Sequence, residues 1–113
     1  MEKIEAIIRP ERLDAVKNAL ADEGFVGLNV VAVTGRGVQK GITHVGRTGE
    51  KVSVDMLPKI KLELVVKDKD RDKAVNIILT NARTGVIGDG KIFIIPVTNV
   101  IRVRTGETDD KAV

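Results

Sequence analysis

Lys3-Ile4-Glu5-Ala6-Ile7-Ile8, near the start of the chain, is echoed residue type for residue type by Lys61-Leu62-Glu63-Leu64-Val65-Val66 in its second half. Charged and apolar residues that alternate and then give way to an apolar run read as a strand buried mainly on one face. After the first copy, Pro10 suits a helix start, where its missing N–H leaves nothing unpaired that was not unpaired already. Leu13, Val16 and Leu20 then recur at helical spacing, and Gly24 is placed to stop the helix. Leu28 to Thr34 is rich in β-branched residues and reads as a second strand. After the second copy, Asp68 or Asp70 can cap a helix whose apolar face is Ala74, Val75, Ile78, Leu79 and Ala82, with Gly85 as its stop. Lys91 to Val97 is the fourth strand. Strand–helix–strand twice in 113 residues predicts one α+β domain spanning 1–113, a ferredoxin-like double βαβ sandwich.

Composition narrows what such a domain can do. There is no cysteine, which excludes disulfides and thiolate metal sites. One Ser (Ser53) and one His (His44) leave little for nucleophilic or metal chemistry, and nothing like a nucleophile elbow surrounds Ser53. The net charge of +3 is spread along the chain, and the only aromatic residues are two Phe, so neither a basic footprint nor stacking rings favour nucleic acid. No run approaches the roughly 20 apolar residues a bilayer span needs, and no signal-peptide core precedes the first strand. A cytoplasmic location is expected, with no direct membrane insertion.

Three segments depart from scaffold. Gly35 to Leu57 is a connection of roughly twenty residues, longer than neighbouring strands need. It opens Gly35-Arg36-Gly37-Val38-Gln39-Lys40-Gly41, where glycines allow close backbone approach to a ligand; a plain hairpin end is the alternative. Thr84-Gly85-Val86-Ile87-Gly88-Asp89-Gly90-Lys91 can cradle phosphate oxygens on backbone N–H groups, with Lys91 as a point charge. It lacks the spacing of a Walker loop, and it serves equally well as a turn into the fourth strand. Val100-Ile101-Arg102-Val103-Arg104-Thr105-Gly106 reads as a C-terminal strand, within a strand and tail of about 98–113. Residues two apart in an extended chain share a face about 6–7 Å apart, which would set Arg102 beside Arg104. Paired guanidinium groups suit a polyphosphate; a solvated edge strand is the alternative.

The same residues carry a resemblance. Lys3-Ile4-Glu5-Ala6-Ile7-Ile8-Arg9-Pro10, Gly35-x-Gly37-x-Gln39-Lys40-Gly41, Leu57-Pro58-Lys59, Ala82-Arg83-Thr84-Gly85, Gly88-Asp89-Gly90-Lys91-Ile92-Phe93 and Ile101-Arg102-Val103-Arg104-Thr105-Gly106-Glu107 are similar, nearly end to end, to the P-II nitrogen-regulatory signal proteins. The resemblance implies a non-catalytic homotrimer with one site for ATP or ADP in each cleft between subunits. It implies that Gly88, Asp89, Gly90, Lys91, Arg102 and Arg104 hold phosphates, that Gly35 and Gly37 cover them, and that Asn29, Glu63 and Val65 lie near the nucleoside. It further implies that 2-oxoglutarate joins Mg-ATP, with Gln39 a ligand of the Mg ion, Lys59 pairing with a carboxylate, and the backbone of Gln39, Lys40 and Gly41 completing the pocket. Residues of about 37–55 would form the flexible T-loop that meets partners, either an ammonium transporter or nitrogen-metabolism enzymes of assimilation or fixation, with Arg47 a partner contact.

The sequence also departs from that pattern. Val38 stands where many relatives have Arg, and Lys51 or Val52 where many have a Tyr. With no Tyr in the chain, tyrosine modification is impossible and signalling rests on ligand binding. Val38 and the altered loop tip leave a second reading, a trimeric interaction scaffold that has lost 2-oxoglutarate sensing.

Overall fold

The computed structural model describes residues 1–36, 43–45, 51–53 and 56–113. In chain order these form β1 (Glu2–Ile8), α1 (Leu13–Asp22), β2 (Asn29–Gly35), β3 (Thr43–Val45), β4 (Lys51–Ser53), β5 (Leu57–Val66), α2 (Arg71–Ala82) and β6 (Lys91–Pro96). One antiparallel sheet has the order β2-β5-β1-β6, and β3 pairs with β4 in a separate ribbon. Strand–helix–strand occurs twice, and the expected α+β ferredoxin-like architecture is the one observed.

The period of two in β1 and β5 sets the layers. Ile4, Ala6 and Ile8 are buried with Leu62, Leu64 and Val66, and the register sets Ile4 opposite Leu64 and Ala6 opposite Leu62. Val16 and Leu20 of α1 and Ala74, Ile78 and Ala82 of α2 close the core over that face. Fully burying each Leu or Ile there contributes about 1.5–3 kcal/mol, which is what holds the helices down. A 3-10 turn at Pro10–Arg12 leads into α1. At its other end Gly24 has φ +90°; its N–H donates to the Ala21 carbonyl (3.0 Å) and that of Phe25 to the Leu20 carbonyl (2.9 Å). That is a Schellman stop, sealed by Phe25 packing on the core.

Several local expectations are corrected. Neither Asp68 nor Asp70 makes a side-chain cap for α2; Asp70 has φ −98° and ψ −8°, so its backbone lacks the extended conformation a capping side chain needs. The helix ends at Ala82, with Arg83 already extended, and Gly85 belongs to the following turn. Strand β5 begins at Leu57, not Lys61, because Leu57–Ile60 pair with Ala32–Gly35. Pro58 is tolerated there since β5 has outrun β1 and has β2 as its one neighbour.

The C-terminal segment is not a strand. Ile101 makes an isolated bridge to Thr108, and between them the chain reverses. The Gly106 N–H donates to the Arg102 carbonyl (2.8 Å) and the Arg102 N–H to that of Glu107 (2.8 Å). Gly106 at φ +72° permits the reversal, and the Thr105 hydroxyl accepts the Glu107 N–H (3.2 Å). Arg102 and Arg104 therefore sit on a turn and do not share a strand face.

The second sheet face is covered by no element among the described residues. Its centre is charged: Lys3 reaches Glu5 (3.0 Å) and Glu63 (3.3 Å), and Lys61 reaches Glu63 (3.0 Å). Glu5 and Glu63 are direct cross-strand partners, a repulsive pairing that the shared Lys3 offsets. Val31, Phe93 and Ile95 flank this stripe, each between 40% and 47% exposed.

Gly90 marks where β6 meets β1. Its φ is +104°, and a Cβ built there would lie 1.7 Å from the Ile7 carbonyl oxygen, which is backbone and cannot swing aside. Gly90→Ala is therefore expected to lower stability by at least about 2 kcal/mol in urea unfolding. A smaller loss would mean that the two strands part easily.

Candidate functional site

The turn between α2 and β6 is folded by one carboxylate. Asp89 Oδ2 accepts the backbone N–H groups of Thr84 (2.8 Å) and Gly85 (2.9 Å). Its Oδ1 accepts the Thr84 hydroxyl and the Arg9 Nε–H (3.1 Å). The Thr84 hydroxyl oxygen also accepts the Val86 N–H (3.2 Å). The hydrogen bond from the Thr84 hydroxyl, then those from the Thr84 and Gly85 backbone and from Arg9, hold the Asp89 carboxyl well below the usual range, against the opposing effect of burial.

The carbonyls of the same turn are drawn the other way. Arg9 Nη2 donates to the Ile87 carbonyl (2.8 Å) and more weakly to that of Val86 (3.4 Å), while Lys59 Nζ donates to the Gly88 carbonyl (2.6 Å). No peptide here is cis, and in a trans peptide the N–H points opposite to its C=O. The N–H groups of Ile87 and Gly88 are thereby turned away from Arg9, and no acceptor meets them among the described residues, while the turn closed over Ile87 and Gly88 directs the Asp89 N–H back toward the Val86 carbonyl. Two adjacent donors without acceptors in an exposed glycine turn are a place for an anion.

A cleft of about 450 Å³ lies against this turn, lined by Gly35, Lys59, Gly88, Asp89, Gly90 and Lys91 among others. Its floor of Ile7, Leu57 and Phe93 belongs to the uncovered sheet face. Among the described lining residues Asp89 is the one acid, and its carboxylate bonds Arg9 and Thr84; Arg36, Lys59 and Lys91 are the cations of the lining. Burial, and then the nearby Arg9, push the Lys59 ammonium down from its ordinary value. An arriving anion would relieve that crowding.

A second cleft of about 590 Å³ lies toward the other end of the same face and is lined by Asn29, Glu63 and Val65 with Lys3 and Val97. Hydrogen bonds from Lys61, then from Lys3, hold the Glu63 carboxyl below its ordinary value. The residues expected at a site thus fall in three places: Gly35, Lys59 and Gly88–Lys91 in the first cleft, Asn29, Glu63 and Val65 in the second, and Arg102 and Arg104 on the exposed C-terminal turn, lining neither. Gly37, Val38, Gln39, Lys40, Gly41 and Arg47 lie outside the described residues.

Residues 1–107 match the family described as Nitrogen regulatory protein P-II. Over 113 residues the chain is 52% identical to Nitrogen regulatory protein P-II 1 of Escherichia coli, covering 100% of both chains. It is 54% identical over 113 residues to Nitrogen regulatory protein P-II 2 of Methanothermobacter thermautotrophicus, covering 100% of this chain and 97% of the relative. The chain belongs to the P-II family. It is a nitrogen regulatory signal protein, and P-II proteins are signal transducers that catalyse no reaction.

Two further features bear on what this P-II chain can hold. Among the described residues no helix is long and apolar enough to cross a membrane, and no cluster of acids and histidines could hold a metal by itself. Arg9 and Thr84 hold this turn together, a role the sequence assigned to neither. Arg9 is 80 positions from the carboxylate it binds, and no local pattern announces such a contact.

The depressed Asp89 carboxyl gives a pH test. Its contribution to stability is complete above the unfolded carboxylate pKa of about 3.9 and disappears as pH falls toward the lower folded value. The gap in urea midpoint between the native chain and Asp89→Asn should be constant from pH 8 to about pH 5 and shrink below about pH 4. A gap that persists unchanged at pH 2 would show that the charge of Asp89 is not what folds the turn.

Proposed function

We propose that this P-II protein reports nitrogen and energy state by binding ATP or ADP and, with Mg-ATP, 2-oxoglutarate. The observation that supports this reading is the pair of amides at Ile87 and Gly88 that meet no acceptor among the described residues, beside a cleft lined by Lys59 and Lys91. Phosphate oxygens are the ligand such donors suit, with Gly90 and Lys91 adjoining. Asp89 joins by folding the turn, since its carboxylate faces inward. Asn29, Glu63 and Val65 meet the nucleoside, and Arg102 and Arg104 add guanidinium groups to the phosphates.

One chain does not assemble these parts. Its clefts lie at Ile7 and at Lys3, four positions apart on β1 and so roughly 13 Å, and the arginine turn lines neither. A homotrimer joined through the uncovered sheet faces would bring the phosphate cleft of one copy to the nucleoside cleft and arginine turn of the next. Phe93, Ile95 and Val31 supply apolar area for that contact. Mg²⁺ would arrive with the nucleotide, because among the described residues the cleft offers no uncommitted carboxylate; Gln39 and 2-oxoglutarate would complete its oxygen shell. Lys59 would pair with a 2-oxoglutarate carboxylate, with Gln39, Lys40 and Gly41 lending backbone donors. The T-loop of 37–55 then carries the signal to an ammonium transporter or a nitrogen-metabolism enzyme in the cytoplasm, with Arg47 at the contact.

Calorimetry of the purified chain with Mg-ATP, then with added 2-oxoglutarate, is expected to show ATP binding and its strengthening by the second ligand. No heat of binding at about 1 mM ATP would end this reading. Lys59→Ala is expected to abolish the 2-oxoglutarate effect while ATP binding stays largely intact. A surviving 2-oxoglutarate effect would take that role from Lys59.

A further inference from the structure

Backbone donors bind an anion well only when their directions are fixed beforehand, because a free glycine turn must otherwise be ordered at the moment of binding. Gly85 and Gly88 have φ of +85° and +106°, so the turn holds residues with wide conformational freedom on both sides of Val86 and Ile87. Its carbonyls therefore need an external hold, and the main one comes from β1.

Arg9 follows the last residue of β1 and is only 14% exposed in its side chain. One edge of its guanidinium makes two kinds of contact at once: Nε–H to the Asp89 carboxylate (3.1 Å), and Nη2–H to the Ile87 carbonyl (2.8 Å) and the Val86 carbonyl (3.4 Å). The Asp89 contact ties it to the group that folds the start of the turn. The carbonyl contacts set the planes of the Val86–Ile87 and Ile87–Gly88 peptides, and with them the direction of the Ile87 and Gly88 N–H groups. Lysine cannot reproduce this, since an ammonium is a point charge and lacks the fixed planar fork.

We propose that Arg9 is a positioning residue for phosphate recognition, presetting the Ile87 and Gly88 amides from behind the turn without touching the ligand. The proposal rests on the reading that this turn receives phosphate. It adds to that reading the residue that makes the turn ready before the ligand arrives, and it separates Arg9 from the cations facing the cleft. Charge alone does not explain the role, because Asp89 pairs with the Arg9 charge.

The test compares the full-length native chain with Arg9→Lys and Arg9→Gln. Without ligand, the amide resonances of Ile87 and Gly88 in a nitrogen-15 correlation spectrum are expected to shift in both variants, while those of the buried strand β1 residues Ile4 and Ala6 stay in place. In calorimetry Arg9→Lys should weaken Mg-ATP about tenfold and change adenosine binding by no more than about twofold. A general loss of structure would move both ligands together. Mg-ATP affinity in Arg9→Lys within about twofold of the native chain, or unmoved Ile87 and Gly88 resonances, would overturn the proposal. Should the native chain itself not bind Mg-ATP, the phosphate reading fails on its own, and the ligand-free spectra still decide whether Arg9 sets the turn. Should Arg9→Gln unfold, Arg9→Lys, which keeps the charge, carries both measurements.

Discussion

The Asp89 carboxylate is the constraint on which the functional end of this molecule depends. An acid beside a cleft proposed to take an anion would ordinarily repel that ligand. Here it is turned inward, accepts the first two amides of its own turn and pairs with Arg9. The carboxylate is thereby occupied within the turn, and the turn keeps a fixed shape. Gly90 completes the arrangement, since only a residue without Cβ can pass the Ile7 carbonyl at that distance. Scaffold and site are thus joined at β1: Ile7 fixes where the turn ends and Arg9 how its peptides face.

The uncovered sheet face connects this end of the molecule to the other. Its outward residues alternate with the core residues of the same strands, so the period that builds the hydrophobic layer also builds this surface. Charges at its centre are mutually satisfied within the chain, which limits the desolvation penalty of covering them. Apolar residues at its flanks favour being covered. A surface of that kind suits the association of copies proposed above, which would bring together the expected ligand residues now divided among two clefts and a turn.

What could be read from the sequence follows the range of each interaction. Strands and helices showed plainly, because the repeated Lys-x-Glu runs and the spacing of Val16 and Leu20 encode burial through local periodicity. The Gly88–Lys91 run was legible as a phosphate cradle or a plain turn, because glycine carries its backbone freedom with it. Arg9 was not legible, for its partners lie across the sheet and depend on the register of β1 against β6. The Arg102-Val103-Arg104 alternation imitates a strand; the hydrogen bonds at Thr105 and Gly106 reverse the chain instead. Pro58 concealed the start of β5, since a proline reads as a break until the lack of a second neighbour is known. Asp70 resembled a cap by residue type, and its backbone angles took it out of that role.

The proposed phosphate recognition depends on the Ile87 and Gly88 amides facing the ligand before it arrives. Mg-ATP titrated into nitrogen-15-labelled protein, with every backbone amide followed, reads this out. These two resonances should move downfield and furthest as the ligand binds, as amides do on gaining a charged acceptor. Saturable ATP binding that leaves both in place would show that the phosphates are held elsewhere.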